Sequence, residues 1–318
     1  MTDERAVAVI GSGSIGVGFA VLFARAGFDV RVQDPDEAAL TRAESDLADR
    51  LALLESADLL RESTAVVASL VSFHTDLAVA ARSVSLVQEC APEHVSIKQE
   101  VLAAAAEAVP RAVLASSSSA IPPSRIAAGL ADDAARRVIV GHPGNPPYLL
   151  PVIEVVPSPR TDPTIVESAR AIYADAGMRP VTIRREVEGF VFNRLQGALL
   201  REAYCLVRDG VVDADDVDEI VRSGLGRRWS VIGPFETSDL NVRGGIAAHA
   251  ARMGPAYERM GAERGQSDPW TAELVGTVAA QRRSILPLEE WEERVRWRDE
   301  RLMTLATLWD AEPRKVTR

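Results

Sequence analysis

His142 stands in Gly141-His142-Pro143-Gly144-Asn145-Pro146-Pro147-Tyr148, just after an apolar run. Glu154 interrupts another apolar run, Val152-Ile153-Glu154-Val155-Val156. A carboxylate in such a strand is costly to bury without a partner, and His142 is the obvious candidate. A histidine backed by a carboxylate is a general base. Imidazole titrates near neutrality, and the carboxylate orients the ring and stabilises the imidazolium that forms. Such a pair can take a proton from a hydroxyl group. Hydroxyl and amide groups to hold the reacting oxygen are also present, in the run Ser116-Ser117-Ser118-Ser119 and in Asn193. Each residue also has a plainer use. The serines could form a solvated loop leading to a cap at Ser124, and His142 could be structural. Glu154 could face water from an edge strand, and Asn193 could satisfy backbone at a helix start.

A second cluster lies near the N-terminus. Gly11-Ser12-Gly13-Ser14-Ile15-Gly16 is a G-x-G-x-x-G run between a strand-like segment, Ala6 to Ile10, and an apolar helical one. In that context Gly11 permits the tight turn, Gly13 lets backbone approach a pyrophosphate, and Gly16 allows close helix–strand packing. The free N–H groups of Ser14 and Ile15 and the helix dipole favour phosphate. The next strand ends at Asp34, where a carboxylate accepts hydrogen bonds from ribose hydroxyls and repels a 2′-phosphate. Together these features point to NAD rather than NADP.

The elements that must position these groups follow from periodicity. Strands are expected at Ala6–Ile10, Asp29–Gln33, Ser85–Gln88, Ala112–Ala115, Arg137–Val140, Val152–Val156 and Arg179–Ile183, with helices between them, including one long helix over 36–62. Strands alternating with helices imply a parallel, doubly wound sheet, with ligands at the carboxyl ends of its strands. From about Glu186 the pattern contains no strand. Helices are expected at 189–208, 213–223, 234–262, 268–284 and 288–309. The fold class is therefore α/β: a Rossmann-type domain over 1–185, then an all-α domain over 186–318. Asn193 would lie at the cleft between them.

Composition narrows the function classes. With 47% hydrophobic and 26% charged residues the chain has an ordinary globular make-up. A net charge of −10 argues against nucleic-acid or anionic-membrane partners. Two cysteines, Cys90 and Cys205, give neither a zinc pattern nor a disulfide framework, so no metal and a reducing, cytoplasmic location are expected. There is no signal-peptide pattern and no long apolar span. Of 36 basic residues, only Lys98 and Lys315 are lysines, which raises the question of what Lys98 does.

The motifs resemble those of the 3-hydroxyacyl-CoA dehydrogenase superfamily, and most of all its lambda-crystallin/L-gulonate 3-dehydrogenase branch. The resemblance runs nearly end to end. Besides the glycine run and the His142 segment, it is carried by Gln88-Glu89-Cys90-Ala91-Pro92-Glu93, Ser116 to Ser119, Glu154-Val155-Val156-Pro157 and Gly189-Phe190-Val191-Phe192-Asn193-Arg194-Leu195-Gln196. Gly224-Leu225-Gly226, Ile232-Gly233-Pro234 and Trp297-Arg298-Asp299-Glu300 extend it. It implies a catalytic set of Ser119, His142, Glu154 and Asn193. His142 is then the base, Glu154 its orienting partner, and Ser119 and Asn193 the ligands of the substrate oxygen. It also implies cofactor contacts from Glu93 and Lys98, a homodimer built through the helical domain, and a small L-3-hydroxy acid as substrate. A 3-hydroxyacyl-CoA thioester or a carrier-bound acid is the alternative. Tyr148 and the double proline resemble the gulonate branch. Gly144, Ser117, Ser118 and Trp229-Ser230 depart from it, and are expected to border the substrate. Arg228 is a candidate anchor for a substrate carboxylate, because guanidinium pairs bidentately with carboxylates.

Overall fold

The computed structural model describes residues 5–266, 271–295 and 297. The chain divides into two compact units between Leu200 and Arg201. The first holds an eight-stranded sheet made of β1 (Ala6–Ile10), β2 (Asp29–Gln33), β3 (Val71–His74), β4 (Leu86–Glu89), β5 (Val113–Ser116), β6 (Val138–Pro143), β7 (Val152–Pro157) and β8 (Arg179–Thr182). Their order across the sheet is β3-β2-β1-β4-β5-β6-β7-β8. Its helices are α1 (Ser14–Arg25), α2 (Glu37–Ser56), α3 (Thr64–Ala68), α4 (Leu77–Ala80), α5 (Val95–Ala108), α6 (Pro123–Ala127), α7 (Asp132–Ala135), α8 (Pro163–Asp175) and the start of α9 (Phe192–Arg208).

The central strands are buried along their whole length, as in β1, whose five residues are all inaccessible. A strand covered on both faces reads as a continuous apolar run rather than an alternation. Two hydrophobic cores result, one on each face of the sheet. One packs α1 and α8 against the sheet, with Phe23 stacked between Phe19 at 5.9 Å and Tyr173 at 6.3 Å.

The structure departs from the expected pattern in several places. β3 is an additional strand, short and only partly buried, without the long apolar run that marks the central strands. β7 runs antiparallel to β6, so the sheet is not wholly parallel. The loop joining them holds no helix, and a parallel crossover needs a dozen or more residues. β6 continues to Pro143, which puts His142 on a strand rather than in the loop after it. The expected long helix ends at Ser56, and Asp58 takes a left-handed conformation beyond it. The Ser124 cap is absent: Pro122 occupies the cap position, and the Ser124 N–H donates to Glu186.

The second unit is helical, with α10 (Ala214–Ile220), a π-turn over Val221–Leu225, α11 (Gly226–Trp229), α12 (Pro234–Leu240), α13 (Gly245–Glu263) and α14 (Ala272–Ile285). The helix expected over 234–262 is broken in two, because Gly244 and Gly245 both have positive φ. Asp213 is the N-cap of α10, but its side chain makes no capping bond. Most of the helix expected over 288–309 lies outside the described residues. Asp239 is fully buried in this unit and ion-paired with Arg283, and it also accepts the Ile246 N–H at 2.9 Å. No described helix is long and apolar enough to cross a membrane.

Candidate active site

The glycine run forms the turn between β1 and α1. Gly11 has φ +103°, and a Cβ there would lie 2.7 Å from the Cys90 carbonyl oxygen. A Cβ on Gly16 would overlap the Gly11 carbonyl oxygen. At Gly13, by contrast, a Cβ would meet no protein atom within 4 Å. The protein's own packing therefore does not demand glycine at 13, whereas a phosphate approaching the backbone does. Gly13 is also the N-cap of α1, and no side chain caps that helix, so Ser14, Ile15 and Gly16 open a helix end suited to an anion. Asp34 ends β2 as expected. Its Oδ2 accepts from Ser12 N at 3.1 Å and Ser12 Oγ at 2.8 Å, and Oδ1 accepts from Asp36 N at 3.1 Å. The cap of α2 is Asp36, not Asp34. A cleft of about 750 Å³ opens here, lined by Gly11, Gly13, Asp34, Arg42, Pro92 and Ile97 among others. Loop, helix end and carboxylate fit the pyrophosphate and ribose of NAD.

The residues expected to do the acid–base chemistry come together at the far side of the strand-order reversal. In the β6–β7 ladder His142 lies directly opposite Glu154. Both are about nine-tenths or more buried, at 5% and 4% exposure. His142 Nδ1 lies 2.8 Å from Glu154 Oε2. A carboxylate only accepts, so in the neutral imidazole Nδ1 carries the proton and Nε2 has the lone pair. The ring packs against Phe190 and Phe192. Gly141, just before it, admits no side chain, because a Cβ would overlap the Tyr173 hydroxyl.

Glu154 does more than orient the imidazole. Its Oε1 accepts from Val191 N at 2.8 Å and Phe192 N at 3.1 Å, so the carboxylate also caps the start of α9. A negative charge there is favourable to the helix. The chain reaches this position through a strained turn, with Gly189 at φ +72° and Phe190 at φ +50°. Positive φ is rare for a bulky residue and persists only where surrounding structure imposes it. Three residues after Phe190, Asn193 donates from Nδ2 to the Ser119 carbonyl at 2.9 Å. One hydrogen-bonded path thus links His142, Glu154, the start of α9, Asn193 and Ser119, all within the first unit.

The serine run separates into distinct parts. Ser116 Oγ donates to Glu89 at 2.5 Å, Ser117 Oγ to the Glu89 carbonyl at 2.9 Å, and Ser118 Oγ to Glu93 at 2.5 Å. Only the Ser119 hydroxyl has no protein partner among the described residues. Ser117 and Ser118 thus turn their hydroxyls to the protein and do not border a substrate through them. Tyr148 and Pro147 likewise dock on the protein. Pro147 packs over Gly18, and the Arg50 guanidinium lies over the Tyr148 ring at 5.8 Å. At Gly144 a Cβ would come within 2.9 Å of Leu150, which accounts for glycine at this position.

Next to Glu93 and Lys98 in the chain, Ala91, Pro92 and Ile97 line the cleft. Lys98 is 1% exposed, and its ammonium meets both oxygens of Glu89, the Ala91 carbonyl and Glu93. Burial is the largest influence on Glu89 and raises its pKa above the ordinary carboxylate value, although Lys98 and Ser116 pull it back. Burial also works to raise Glu93, but the Ser118 hydrogen bond and the Lys98 charge outweigh it and lower its pKa. Glu89 and Ser12 are not among the site residues expected from the sequence, and Ser118 was expected at the substrate rather than on Glu93. A signal was there for Glu89, a carboxylate at the carboxyl end of an apolar strand nine residues before the only internal lysine of the chain. Arg228 stands half-buried on α11 in the second unit, with its Nε enclosed and without a hydrogen-bond partner among the described residues. Among the described residues no group of His, Cys, Asp and Glu could hold a metal ion.

Two family profiles match this chain: the 3-hydroxyacyl-CoA dehydrogenase NAD-binding domain over residues 6–187, and the C-terminal domain of the same enzymes over 189–285. The chain belongs to the 3-hydroxyacyl-CoA dehydrogenase family. Among its relatives it is 36% identical to lambda-crystallin of Oryctolagus cuniculus over 307 residues, 95% of each chain. It is 38% identical to L-carnitine dehydrogenase of Streptomyces griseus over 270 residues, 85% of this chain and 77% of that one. A solved 3-hydroxyacyl-CoA dehydrogenase from Archaeoglobus fulgidus matches with a TM-score of 0.71 and 25% identity, covering 97% of this chain and 100% of that one. As a member of the 3-hydroxyacyl-CoA dehydrogenase family, this chain is an NAD-dependent oxidoreductase acting on CH–OH groups.

Proposed function

We propose that the protein oxidises a small, free L-3-hydroxy acid, L-gulonate or a close analogue, to the 3-keto acid, with His142 as the general base. The hydrogen bond from His142 Nδ1 to Glu154 at 2.8 Å carries this reading. It commits Nδ1 and leaves Nε2 to take the hydroxyl proton. Glu154 holds the ring's orientation and offsets the charge of the imidazolium. Ser119 Oγ and Asn193 Nδ2 hold the substrate oxygen; Ser119 is anchored through its backbone N–H to Glu93, and Nδ2 gives one of its two protons to the Ser119 carbonyl and keeps the other for the substrate. NAD supplies the hydride acceptor when bound.

Two observations favour a free acid. The chain matches the lambda-crystallin relative over almost its whole length, and carnitine, named in another relative, is itself a free 3-hydroxy carboxylate. The family description favours the second reading, a 3-hydroxyacyl-CoA thioester. Turnover of L-gulonate, L-3-hydroxybutyrate and 3-hydroxybutyryl-CoA, followed by NADH absorbance, separates the two. We expect kcat/KM for one of the free acids to exceed that for the thioester by at least about tenfold, since a site that pairs a carboxylate rejects an analogue lacking it. The reverse order would assign the thioester.

The working form in this reading is a homodimer in a reducing, cytoplasmic setting. α9 exposes Leu195, Leu199, Leu200, Tyr204 and Val207, an apolar stripe suited to a second copy. Both cysteines are unpaired.

A further inference from the structure

We propose that Arg50, on α2, is a positioning residue for the cofactor. It holds the Ser14 hydroxyl at the start of α1 with its proton free for the pyrophosphate, and it joins that helix start to the loop after β6. This rests on the reading of Ser14 as a pyrophosphate contact and not on the assignment of the general base, so the two can fail separately.

The guanidinium is gripped on two edges. Arg50 Nε and Nη2 donate to the two oxygens of Asp46, one turn earlier on α2, at 2.8 and 2.7 Å. Nη2 also donates to Ser14 Oγ at 3.0 Å, and Nη1 to the Ser14 carbonyl at 3.0 Å. Five N–H groups in one rigid plane allow Asp46 and Ser14 to be held at once, which an ammonium on a flexible stem cannot do. The Tyr148 ring lies alongside at 5.8 Å, and only 14% of the Arg50 side chain is exposed. Gly18 makes this approach possible: a Cβ there would lie 2.9 Å from Pro147 and 3.6 Å from Arg50 Nη1. The first turn of α1, the middle of α2 and the Pro147–Tyr148 loop thus meet at one side chain, all within the first unit.

The direction of these hydrogen bonds decides what Ser14 can do. An arginine only donates, so Ser14 Oγ accepts from Nη2 and keeps its own proton. Among the described residues none accepts that proton. Ser14 is exposed as the first residue of α1, a helix whose opening N–H groups no side chain caps. The hydroxyl proton therefore adds to the main-chain N–H groups as a donor to an anion at this helix end. Without Arg50 the hydroxyl is a free rotor. Direct attraction between Arg50 and the pyrophosphate is the lesser effect, because Asp46, paired with it through two hydrogen bonds, offsets its charge.

The test is a double-mutant cycle of Arg50→Gln with Ser14→Ala in the full-length enzyme, read as the NADH dissociation constant by fluorescence titration. Ser14→Ala is expected to weaken NADH binding by about tenfold, the loss of one hydrogen bond to a charged group. Arg50→Gln is expected to weaken it by about fivefold, because the hydroxyl remains but is no longer aimed, with kcat at saturating NAD within about twofold. In the Ser14→Ala background the same change should alter affinity by less than about twofold, because the hydroxyl it aims is gone. A general loosening of the turn would act in both backgrounds alike, so an equal loss in both overturns the proposal. Native NADH affinity in Arg50→Gln overturns it too, as does a fall in kcat larger than the fall in affinity. If Ser14→Ala alone binds NADH as tightly as the native enzyme, the reading of Ser14 falls and this role of Arg50 with it, while the assignment of His142 is untouched. Should Arg50→Gln not fold, Arg50→Lys keeps the charge but lacks the fork, and the same cycle decides by the same criterion.

Discussion

The two halves of the site are built in opposite ways. The cofactor turn comes from six consecutive residues, Gly11 to Gly16, with Asp34 added at the end of the neighbouring strand. Its polar groups are main-chain N–H groups at a helix end that no side chain caps. The candidate acid–base cluster draws on four distant segments, around 119, 142, 154 and 190–193, and His142 Nδ1, both Glu154 oxygens and Asn193 Nδ2 are each bonded to another part of the protein. Binding a phosphate needs backbone that stays open, whereas proton transfer needs side chains held at a fixed place and angle. The first half tolerates little added volume. The second tolerates little loss of a hydrogen bond.

This contrast can be broken from either side. The largest effect is expected for His142→Ala. Loss of a general base should lower kcat by about 10² to 10⁴-fold while NADH affinity stays near that of the native enzyme. Single-turnover kinetics and NADH fluorescence titration check the two parts, and native-like turnover would remove His142 from the chemistry. Gly16→Ala is the counterpart at the turn, where the new Cβ overlaps the Gly11 carbonyl. It should weaken NADH binding by about 10- to 100-fold through displacement of the loop, with kcat at saturating cofactor much less affected. Equal losses in kcat and affinity would show that the halves are not separable.

The smallest effect sharpens the comparison within the cofactor half. Asp34→Ala removes the carboxylate that Ser12 holds at 2.8 Å. A charged hydrogen bond to the ribose is worth roughly 1.5–3 kcal/mol, so kcat/KM for NAD should fall about tenfold or more relative to that for NADP. An unchanged NAD-to-NADP ratio would mean that Asp34 does not meet the ribose.

How much of this could be read from the chain differs in the same way between the halves. The glycine turn and Asp34 lie within one βαβ unit, where spacing and local backbone rules apply, and the structure puts them where that spacing implies. The pairing of His142 with Glu154 was suggested by the cost of a carboxylate in an apolar strand. The antiparallel turn-back that makes them direct neighbours was not, because alternation of strands and helices suggests parallel pairing throughout. The serine run was ambiguous for a plainer reason: four identical hydroxyls in a row carry no pattern, and only the positions of Glu89 and Glu93 separate them.

By itself the amino-acid order determined the α/β class, the dinucleotide turn and the identity of the titratable groups, because these depend on short-range periodicity and residue type. Only the tertiary structure decided that Glu154 both holds the imidazole and caps α9, that within the serine run Ser119 alone has no hydroxyl partner among the described residues, and that Lys98 is enclosed between two carboxylates. Those outcomes depend on which remote segments meet, and the register of a strand or the start of a helix is set by packing over the whole unit rather than by neighbours along the chain.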